Sequence, residues 1–354
     1  MRRFYFSVLM AWLIAGACEE SVDDSTGVLA GPDDSGMAAP TGGNMSQPEG
    51  VSGNLQVLDW AGFKSALTYT FDDGQPSQIE HYEELNALGV PMTFFVSTFN
   101  SEFENFDSVF SKAVTDGHEL GNHTHHHCMS DSSRCAFGDT IPIDLSADII
   151  ACNNYIAAHL GQPETFTIAA PYGDGGWQFM ATDFFFLNRQ VNDGTVAPLS
   201  GNPFMLPSYM ADTGETAADH FNPKIAAAAE AREWLIFTFH GISPTSDRWY
   251  PLVDISEIAA SVDFAKSGGN IWIDSMINVG AYWRAQMLFS GLTPQTSAGT
   301  TTWQWTLPAH FPPGKFLRVT VDGGTLSQKG TVLNWSSHGY YEVNLDAGEL
   351  SLGP

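Results

Sequence analysis

Short apolar runs alternate with amphipathic segments along most of the chain, from Leu55 to about Phe289. The runs have strand length and no polar alternation, so both faces of each strand must be buried, and the segments between them repeat apolar residues at helical spacing. The predicted strands are 66–71, 91–96, 166–170, 183–187, 234–239 and 270–273. The predicted helices are 78–88, 108–115, 145–160, 225–233 and 255–266. This alternation predicts an α/β fold with a parallel sheet or a (β/α) barrel.

Beyond residue 291 the pattern changes to short strands separated by Pro-Pro-Gly, Asp-Gly-Gly and Ser-His-Gly turns. The strands predicted there are 303–307, 316–321, 331–335 and 340–345. Residues 300–354 are therefore predicted to form a small antiparallel β domain. A domain of this size buries too little apolar surface to be stable by itself, so it should pack on the barrel. Its Trp303, Trp305 and Trp335 could stack on sugars, but we expect them to form its core.

The first 18 residues have the composition of an export signal. A positive start, an apolar run over 4–14 and small residues before Cys18 follow one another. This ending resembles a bacterial lipoprotein processing site, with ordinary signal-peptidase cleavage as the alternative. Residues 19–53 are mostly Gly, Ser, Pro, Asp and Glu, so we predict a disordered acidic linker. We expect a protein that is secreted or held at the cell envelope, with membrane contact only through an N-terminal lipid.

The charge balance is strongly acidic, since 14 Lys and Arg stand against 40 Asp and Glu, for a formal net charge of -26. Such a surface repels phosphate backbones and anionic lipids, so the sequence predicts no nucleic-acid partner and no direct membrane binding. Neutral or cationic polymers are tolerated. We expect a monomer.

Three cysteines follow Cys18, namely Cys128, Cys135 and Cys152. An exported protein reaches an oxidising compartment, which favours one disulfide and leaves one thiol over. Cys128 and Cys135 lie close together in the sequence and are the first pairing to expect. No second cysteine pair follows them, so the spacing is not that of a zinc ribbon.

Two adjacent carboxylates end the first predicted strand, in the sequence Thr70-Phe71-Asp72-Asp73-Gly74. Carboxylates at the end of a buried strand are unfavourable unless a cation or a proton shares the site. Adjacent side chains on a strand point in opposite directions, so Asp72 and Asp73 should have different roles, such as a base and a metal ligand. The alternative is a solvated Asp-Asp-Gly turn.

Histidines are concentrated in one segment, because five of the eleven in the chain lie between His118 and His127. Neutral imidazole is a common ligand of divalent metals. His123 and His127 are four residues apart, so on a helical turn they would share one face, while His125 and His126 would point elsewhere. One carboxylate with two histidines fits a catalytic Zn²⁺ site with positions open for water, and the alternative is a fortuitous metal-binding tract.

Two later strand ends carry weaker signals. The segment 168–173 ends in Pro171, Tyr172 and Gly173, where glycine allows close backbone approach and tyrosine offers an aromatic wall. The segment 235–241 brings His240 to the end of an apolar strand. A core histidine is the usual interpretation, but the loops after barrel strands share one face, which favours a proton-transfer role.

Together and in this order, these motifs resemble the polysaccharide deacetylase family, the carbohydrate esterases that include chitin, peptidoglycan and acetyl-xylan deacetylases. The resemblance covers residues 57–284 and depends on Thr-Phe-Asp-Asp-Gly at 70–74 and His-Thr-x-x-His at 123–127. It implies a distorted (β/α)7-type barrel, which agrees with the alternation of strands and helices, and we place this domain at residues 54–290.

The resemblance also implies a role for each matched residue. Asp73, His123 and His127 would bind a divalent metal, with Zn²⁺ as the first expectation and Co²⁺ or Ni²⁺ as alternatives. Asp72 would take the proton of the attacking water, and His240 would protonate the leaving amine or alkoxide.

The substrate-binding residues expected from the later motifs are Pro171, Tyr172 and Trp272. The backbone N–H of Tyr172 would help to hold the oxyanion. Trp272, at the last barrel strand, could line the site, although a core tryptophan fits the sequence equally well.

One position departs from the family's pattern. The family usually has an arginine in its third motif, oriented on the catalytic aspartate, and this chain has Ala169 there. Asp72 therefore lacks its expected charged partner. Arg189 and Arg134 are candidates to replace it from another loop, and the sequence does not decide between them.

The leading hypothesis is metal-dependent hydrolysis of N-acetyl or O-acetyl groups on an extracellular or cell-wall polysaccharide. The alternative is a non-catalytic carbohydrate-binding protein on a deacetylase scaffold, suggested by Ala169 and the β domain, although a binder needs neither Asp72 nor His240. A metal-dependent hydrolase of another amide is a third hypothesis. The acidic surface favours neutral chitin-like or xylan chains over polyanions.

Overall fold

The nine-residue strand Ser65–Asp73 is buried along all but its last residue. It belongs to an eight-stranded sheet in which every pairing is parallel. Both faces of such a strand need apolar neighbours, which explains its nearly continuous apolar and threonine sequence. The structure is a computed structural model, and the description covers residues 35–136, 143–246 and 251–354.

The elements are numbered in chain order. The strands are β1 (Gln56–Val57), β2 (Ser65–Asp73), β3 (Thr93–Val96), β4 (Glu119–Asn122), β5 (Thr167–Ala169), β6 (Leu187–Arg189), β7 (Tyr209–Met210), β8 (Trp234–Phe239), β9 (Gly241–Ser243), β10 (Leu252–Asp254), β11 (Ile271–Ile273), β12 (Gln295–Ser297), β13 (Thr300–Gln304), β14 (Phe316–Thr320), β15 (Thr325–Gln328), β16 (Thr331–Val332), β17 (Trp335–Ser336), β18 (Tyr340–Asn344) and β19 (Glu349–Gly353). The helices are α1 (Pro76–Glu80), α2 (Tyr82–Ala87), α3 (Phe106–Thr115), α4 (Leu145–Tyr155), α5 (Trp177–Phe184), α6 (Asn222–Ala231), α7 (Ile255–Ser267) and α8 (Met276–Ser290).

The parallel sheet has the order β6-β5-β4-β3-β2-β8-β7, and β11 lies beside the first half of β2. From Thr70 onward, β3 takes the place of β11 at the same edge of β2. The two ends of the order meet at a single bridge between Arg189 of β6 and Leu206, which precedes β7. This curled and incompletely closed sheet confirms the predicted distorted (β/α) barrel.

The barrel and the C-terminal strands share one hydrophobic cluster. Trp272 and Trp283 of the barrel belong to the same group of buried residues as Trp305, Leu317 and Val343 of the C-terminal strands. A region of this size gains most of its stability by burying its apolar face against a larger neighbour.

Two antiparallel sheets form the C-terminal region, in the orders β1-β14-β18-β17 and β12-β13-β19-β15-β16. The expectation of one strand over 331–335 is wrong, because β16 and β17 are short strands in different sheets. Trp305 is buried in the core, and Trp303 and Trp335 are partly buried against it. All three tryptophans therefore contribute to packing.

The acidic segment before the barrel is held in place over its described part, residues 35–53. The Met45 N–H donates to the carbonyl oxygen of Ser337 at 2.9 Å, and Trp335 Nε1 donates to the Met45 carbonyl oxygen at 2.7 Å. The expectation of a disordered linker is wrong here, because hydrogen bonds to distant strands supply the order that apolar side chains do not. Residues 1–34, with the expected export signal, lie outside the described residues.

The sequence pattern does not predict α8. Nine of its fifteen residues are buried, so it lacks the broad polar face by which a surface helix is recognised. The strand expected over 183–187 is displaced, since α5 continues to Phe184 and β6 begins at Leu187. Among the described residues, no helix combines the length and the apolar character needed to cross a bilayer.

Arg318 on β14 joins the N-terminal segment to the C-terminal strands from a fully buried position. Its Nε donates to Glu342 Oε1 at 3.1 Å, and its two Nη groups donate to the carbonyl oxygens of Met37, Ala38 and Ala61. A buried guanidinium is tolerated when its charge and its donors are matched in this way.

Arg318→Met should lower the free energy of unfolding by about 3–5 kcal/mol, because the Glu342 carboxylate would lose its only cationic partner among the described residues and keep the hydrogen bonds from Ser35. Lys64→Met removes an exposed cation just before β2 and should change the free energy by less than about 0.5 kcal/mol. Denaturant unfolding followed by tryptophan fluorescence measures both variants. Equal stability of the two would contradict the role assigned to Arg318.

Candidate active site

Several strand ends converge at one end of the barrel. β2 ends at Asp73, which pairs in register with Val96 of β3, and Val96 pairs with Asn122 at the end of β4. At the other edge of β2, Phe71 pairs with Phe239, the last residue of β8. The residues that follow these strands therefore meet at one face of the barrel.

Asp73, His123 and His127 come together, with one ligand atom of each within 4.8 Å of the others. Asp73 Oδ1 lies 3.3 Å from His123 Nε2 and 3.5 Å from His127 Nε2. His123 Nδ1 donates to the carbonyl oxygen of Ala169 at 2.9 Å, which leaves its Nε2 as the lone-pair donor. Gln75 Nε2 donates to Asp73 Oδ2 at 2.9 Å, which leaves Oδ1 for a cation. This set of one carboxylate and two imidazoles fits a divalent metal.

The loop that carries the two histidines is not helical, so the expected shared helical face is wrong. Thr124 and His127 have left-handed backbone, with φ angles of 61° and 52°. Thr124 Oγ1 accepts from the His127 N–H at 2.9 Å, and Asn122 Oδ1 accepts from the Thr124 N–H at 2.7 Å. Non-glycine residues persist in this conformation where their surroundings fix them, which is common at functional sites.

His125 and His126 make other contacts, as expected. Nδ1 of His125 lies 2.8 Å from Thr98 Oγ1, and Nδ1 of His126 lies 2.5 Å from Asp148 Oδ1. These bonds tie the loop to the segment after β3 and to α4. The two histidines therefore support the loop instead of joining the metal group.

A disulfide closes a short loop that begins directly after His127, the last histidine of the metal group. Cys128 and Cys135 are bonded, which confirms the expected pairing, and Cys152 is a buried free thiol. Trp177 Nε1 donates to the Cys128 carbonyl oxygen at 3.1 Å, so the loop is also tied to α5. The position of His127 is thereby restrained on both sides.

The surroundings keep two of the three side chains in the protonation states that bind metal. Burial acts to raise the pKa of Asp73, but the hydrogen bond to His123 and the charges of the nearby histidines lower it well below its usual range. Burial and repulsion by His123 lower the pKa of His127 to about 4. At His123, burial acts to lower the pKa, and the charges of Asp72 and Asp73 raise it overall. Asp73 is thus ionised and His127 neutral at neutral pH, as metal ligands must be.

Asp72 has an arginine partner that its motif lacks. Arg189 Nη2 lies 2.5 Å from Asp72 Oδ1 and 2.6 Å from Oδ2, and both side chains are buried. Arg189 ends β6 and is the register partner of Ala169 on β5, so the next strand supplies the guanidinium from the same level. Arg134 is not the replacement, because its guanidinium lies over the Tyr172 ring at 4.7 Å.

His240 lies beside Asp72 at the end of β8. Its Nε2 is 3.9 Å from Asp72 Oδ2, and its Nδ1 is buried with no partner in the part of the chain that the structure describes. Gln78 Nε2 donates to the backbone carbonyl oxygens of both Asp72 and His240, at 2.6 and 2.8 Å, and so holds the two strand ends together. The predicted base and the predicted acid therefore share one site.

The three predicted substrate-binding residues do not share one location. The Tyr172 ring lies 4.5 Å from the His127 ring, and its backbone is left-handed with φ of 59°. Pro171 is buried and begins the turn that carries Tyr172. Trp272 is wrong as a substrate-binding residue, because it is fully buried and pairs with Ala66, near the opposite end of β2.

Several polar residues that hold the site have no motif of their own. Gln75 and Gln78 follow the two aspartates within a few residues, and Asn100 Nδ2 donates to the Asp73 carbonyl oxygen at 2.9 Å. Closeness to a motif is the one signal that could have found the two glutamines. Asn100 and Arg189 carry no local signal, because their contacts are made across the fold.

Arg189→Ala should lower the free energy of unfolding by about 3–5 kcal/mol, since Asp72 would remain buried without its partner. Ala169→Arg should recover part of this loss in the same chain, because position 169 is level with position 189, whereas alone it adds a second buried cation and destabilises. Denaturant unfolding of both single variants and the double variant gives the coupling energy, expected at about 1–3 kcal/mol. Strictly additive effects would show that position 169 cannot supply the partner.

The sequence model of the polysaccharide deacetylase family matches residues 62–181 of this chain. This range contains both aspartates, both histidines of the metal group and Tyr172.

Solved structures with a similar fold include a probable polysaccharide deacetylase from Pseudomonas aeruginosa, which is 12% identical with a TM-score of 0.50 over 65% of this chain and 94% of that chain. A family 4 acetyl xylan esterase from Clostridium thermocellum, solved with a cobalt ion, is 16% identical with a TM-score of 0.41 over 61% and 90% of the two chains. A polysaccharide deacetylase from Bacillus cereus is 15% identical with a TM-score of 0.40 over 60% and 91%. At these identities the Pseudomonas structure supports the fold alone. The family match includes β2 to β5 and both motifs of the metal group, so over residues 62–181 this chain is similar to the polysaccharide deacetylase family.

Proposed function

We propose that this protein is a metal-dependent deacetylase that hydrolyses N-acetyl or O-acetyl groups on an extracellular or cell-wall polysaccharide. One juxtaposition carries the proposal: the donor group of Asp73, His123 and His127 lies directly beside Asp72. Asp72 Oδ2 is 3.9 Å from His123 Nε2 and 3.9 Å from His240 Nε2. Metal donors next to a general base and a general acid are what acyl hydrolysis requires.

Each residue of the site has a distinct task in this reaction. A divalent cation in the donor group would supply Lewis-acid polarisation. Asp72, oriented by Arg189, takes the proton of the water that attacks the acetyl carbon. The N–H of Tyr172 donates to the acetyl oxygen, and His240 protonates the departing nitrogen or oxygen as its bond to carbon breaks. The products are acetate and a free amine or hydroxyl.

We infer Zn²⁺ as the resident metal, with Co²⁺ and Ni²⁺ as alternatives. Imidazole and carboxylate ligands suit these cations, and three protein ligands leave positions open for water and substrate. The expected export signal, lipid anchor and monomeric state remain predictions from the sequence.

A purely binding function is less well supported. Burying a carboxylate–guanidinium pair gives no general stability advantage over apolar residues of similar size. Such a pair has a clear purpose where a reacting carboxylate must be held in one orientation, as Arg189 holds Asp72.

The purified protein loaded with Zn²⁺ should release acetate from at least one of acetylated chitooligosaccharide, acetyl-xylan and peptidoglycan. Chelation should abolish the release, and added metal should restore it. Asp72→Asn should lower the rate by about 10²–10⁴-fold while the bound metal, measured by elemental analysis, is unchanged. A protein with metal bound that releases no acetate from any of the three substrates would refute the proposal.

Gln75→Ala should weaken the affinity for Zn²⁺ by about 10–100-fold, because it removes the donor that holds Asp73 Oδ2 and lets the carboxylate rotate. Gln56→Ala, at an exposed position on β1, is the matched control and should leave the affinity unchanged. Competition with a chromophoric chelator measures both dissociation constants. An unchanged affinity in Gln75→Ala would show that the carboxylate needs no such support.

A further inference from the structure

The disulfide loop, residues 128–135, is fastened to the turn that carries Tyr172. The Ser130 N–H and Oγ both donate to Asp174 Oδ2, at 2.8 and 2.6 Å. The approach is close, because a Cβ on Gly176 would lie 2.0 Å from Ser130 Oγ and a side chain there would force the serine to shift. The loop and the turn therefore behave as one wall beside the metal group.

Arg134 is a cation in the disulfide loop of this wall. Its guanidinium lies over the Tyr172 ring at 4.7 Å, and that ring lies 4.5 Å from the His127 ring. The Arg134 side chain is exposed, and no carboxylate of the described residues lies within 4.0 Å of its nitrogens. The carboxylates of Asp131 and Asp174, in the same wall, accept hydrogen bonds from serines instead.

Within the described ranges, Arg232 and Arg284 also have no carboxylate within 4.0 Å, so what distinguishes Arg134 is its position on the Tyr172 ring beside the metal group. Arg189 and Arg318 are both bound to carboxylates. A guanidinium stacked on an aromatic ring keeps its edge available, and that edge matches a carboxylate in bidentate geometry.

We propose that Arg134 binds a carboxylate of the substrate, so that the protein prefers acetylated glycans with an acidic group close to the acetylated sugar. This inference rests on the proposed function and names the class of glycan within it. The net charge of -26 opposes the approach of a polyanion. Occasional carboxylates on an otherwise neutral chain fit the site, because one local cation can offset the repulsion of one acidic group.

Two matched pairs of oligosaccharides test the inference. The first is an acetylated xylo-oligosaccharide with and without a glucuronate branch, and the second is an N-acetylglucosamine oligomer with and without a lactyl ether. Stopped-flow fluorescence on the metal-loaded protein records binding before turnover, and acetate release gives kcat/KM. The wild-type protein should favour the charged member of at least one pair by about tenfold, the effect of one charge-assisted hydrogen bond. Added salt should reduce this preference.

Arg134→Ala should abolish the preference and leave binding of the neutral member unchanged, and Arg134→Lys should keep part of the preference. Lys64→Ala removes one exposed cation just before β2 and is the matched control, which should behave as wild type. Equal losses on both members of a pair in Arg134→Ala would overturn the inference, because they would mean that Arg134 only positions Tyr172.

The absence of a preference in both pairs with the wild-type protein would also overturn it. A preference that depends on Arg134, found without acetate release from any of the four oligosaccharides, would support the binding inference and refute the proposed hydrolysis. The two failures are therefore distinguishable.

Discussion

The contact between Asp72 and Arg189 is the constraint on which the site depends. Asp72 is buried at the end of β2, where an unpaired carboxylate would be strongly unfavourable. Its partner lies on β6, four strands away in the sheet order, which would be about 19 Å in a flat sheet. An arginine side chain cannot span that distance, so the pair forms because the sheet curls and brings β6 across the interior to β2. The same curl brings the loops after β2, β4 and β8 to one site.

The metal group was predictable because its residues lie in two contiguous motifs at strand ends, and coordination chemistry explains why these residue types occur together. The shape of the histidine loop was not predictable, because spacing alone suggests a helical turn, whereas left-handed residues and a disulfide set its path. The sequence alone could not show that Arg189, and not Arg134, is the partner of Asp72. Arg189 is 117 residues from Asp72 in the chain, and only the strand register shows that it is level with Ala169.

Outside the site, too, local sequence patterns do not predict contacts between distant parts of the chain. Residues 35–53 have the composition of a solvated segment, but composition reports only how much apolar area a segment can bury. Their order comes from hydrogen bonds to strands near the other end of the chain, which no local pattern reveals. Trp272 and α8 show the converse case. Both belong to a core shared by the barrel and the C-terminal strands, and a residue buried on all sides leaves no periodic signal that separates packing from function.

The two parts of the site are supported in different ways, and this explains how the chain can depart at position 169 from the pattern of the deacetylase family without disturbing the metal group. His123 is oriented by the backbone carbonyl of Ala169, a contact that does not depend on the side chain at that position. Asp72 is oriented by a side chain, and the neighbouring strand provides it at the same level. Because the backbone of β5 and the side chain of β6 act separately, an alanine at position 169 leaves the imidazole in place. Position 169 can therefore vary as long as β6 carries the guanidinium and the sheet keeps its curl.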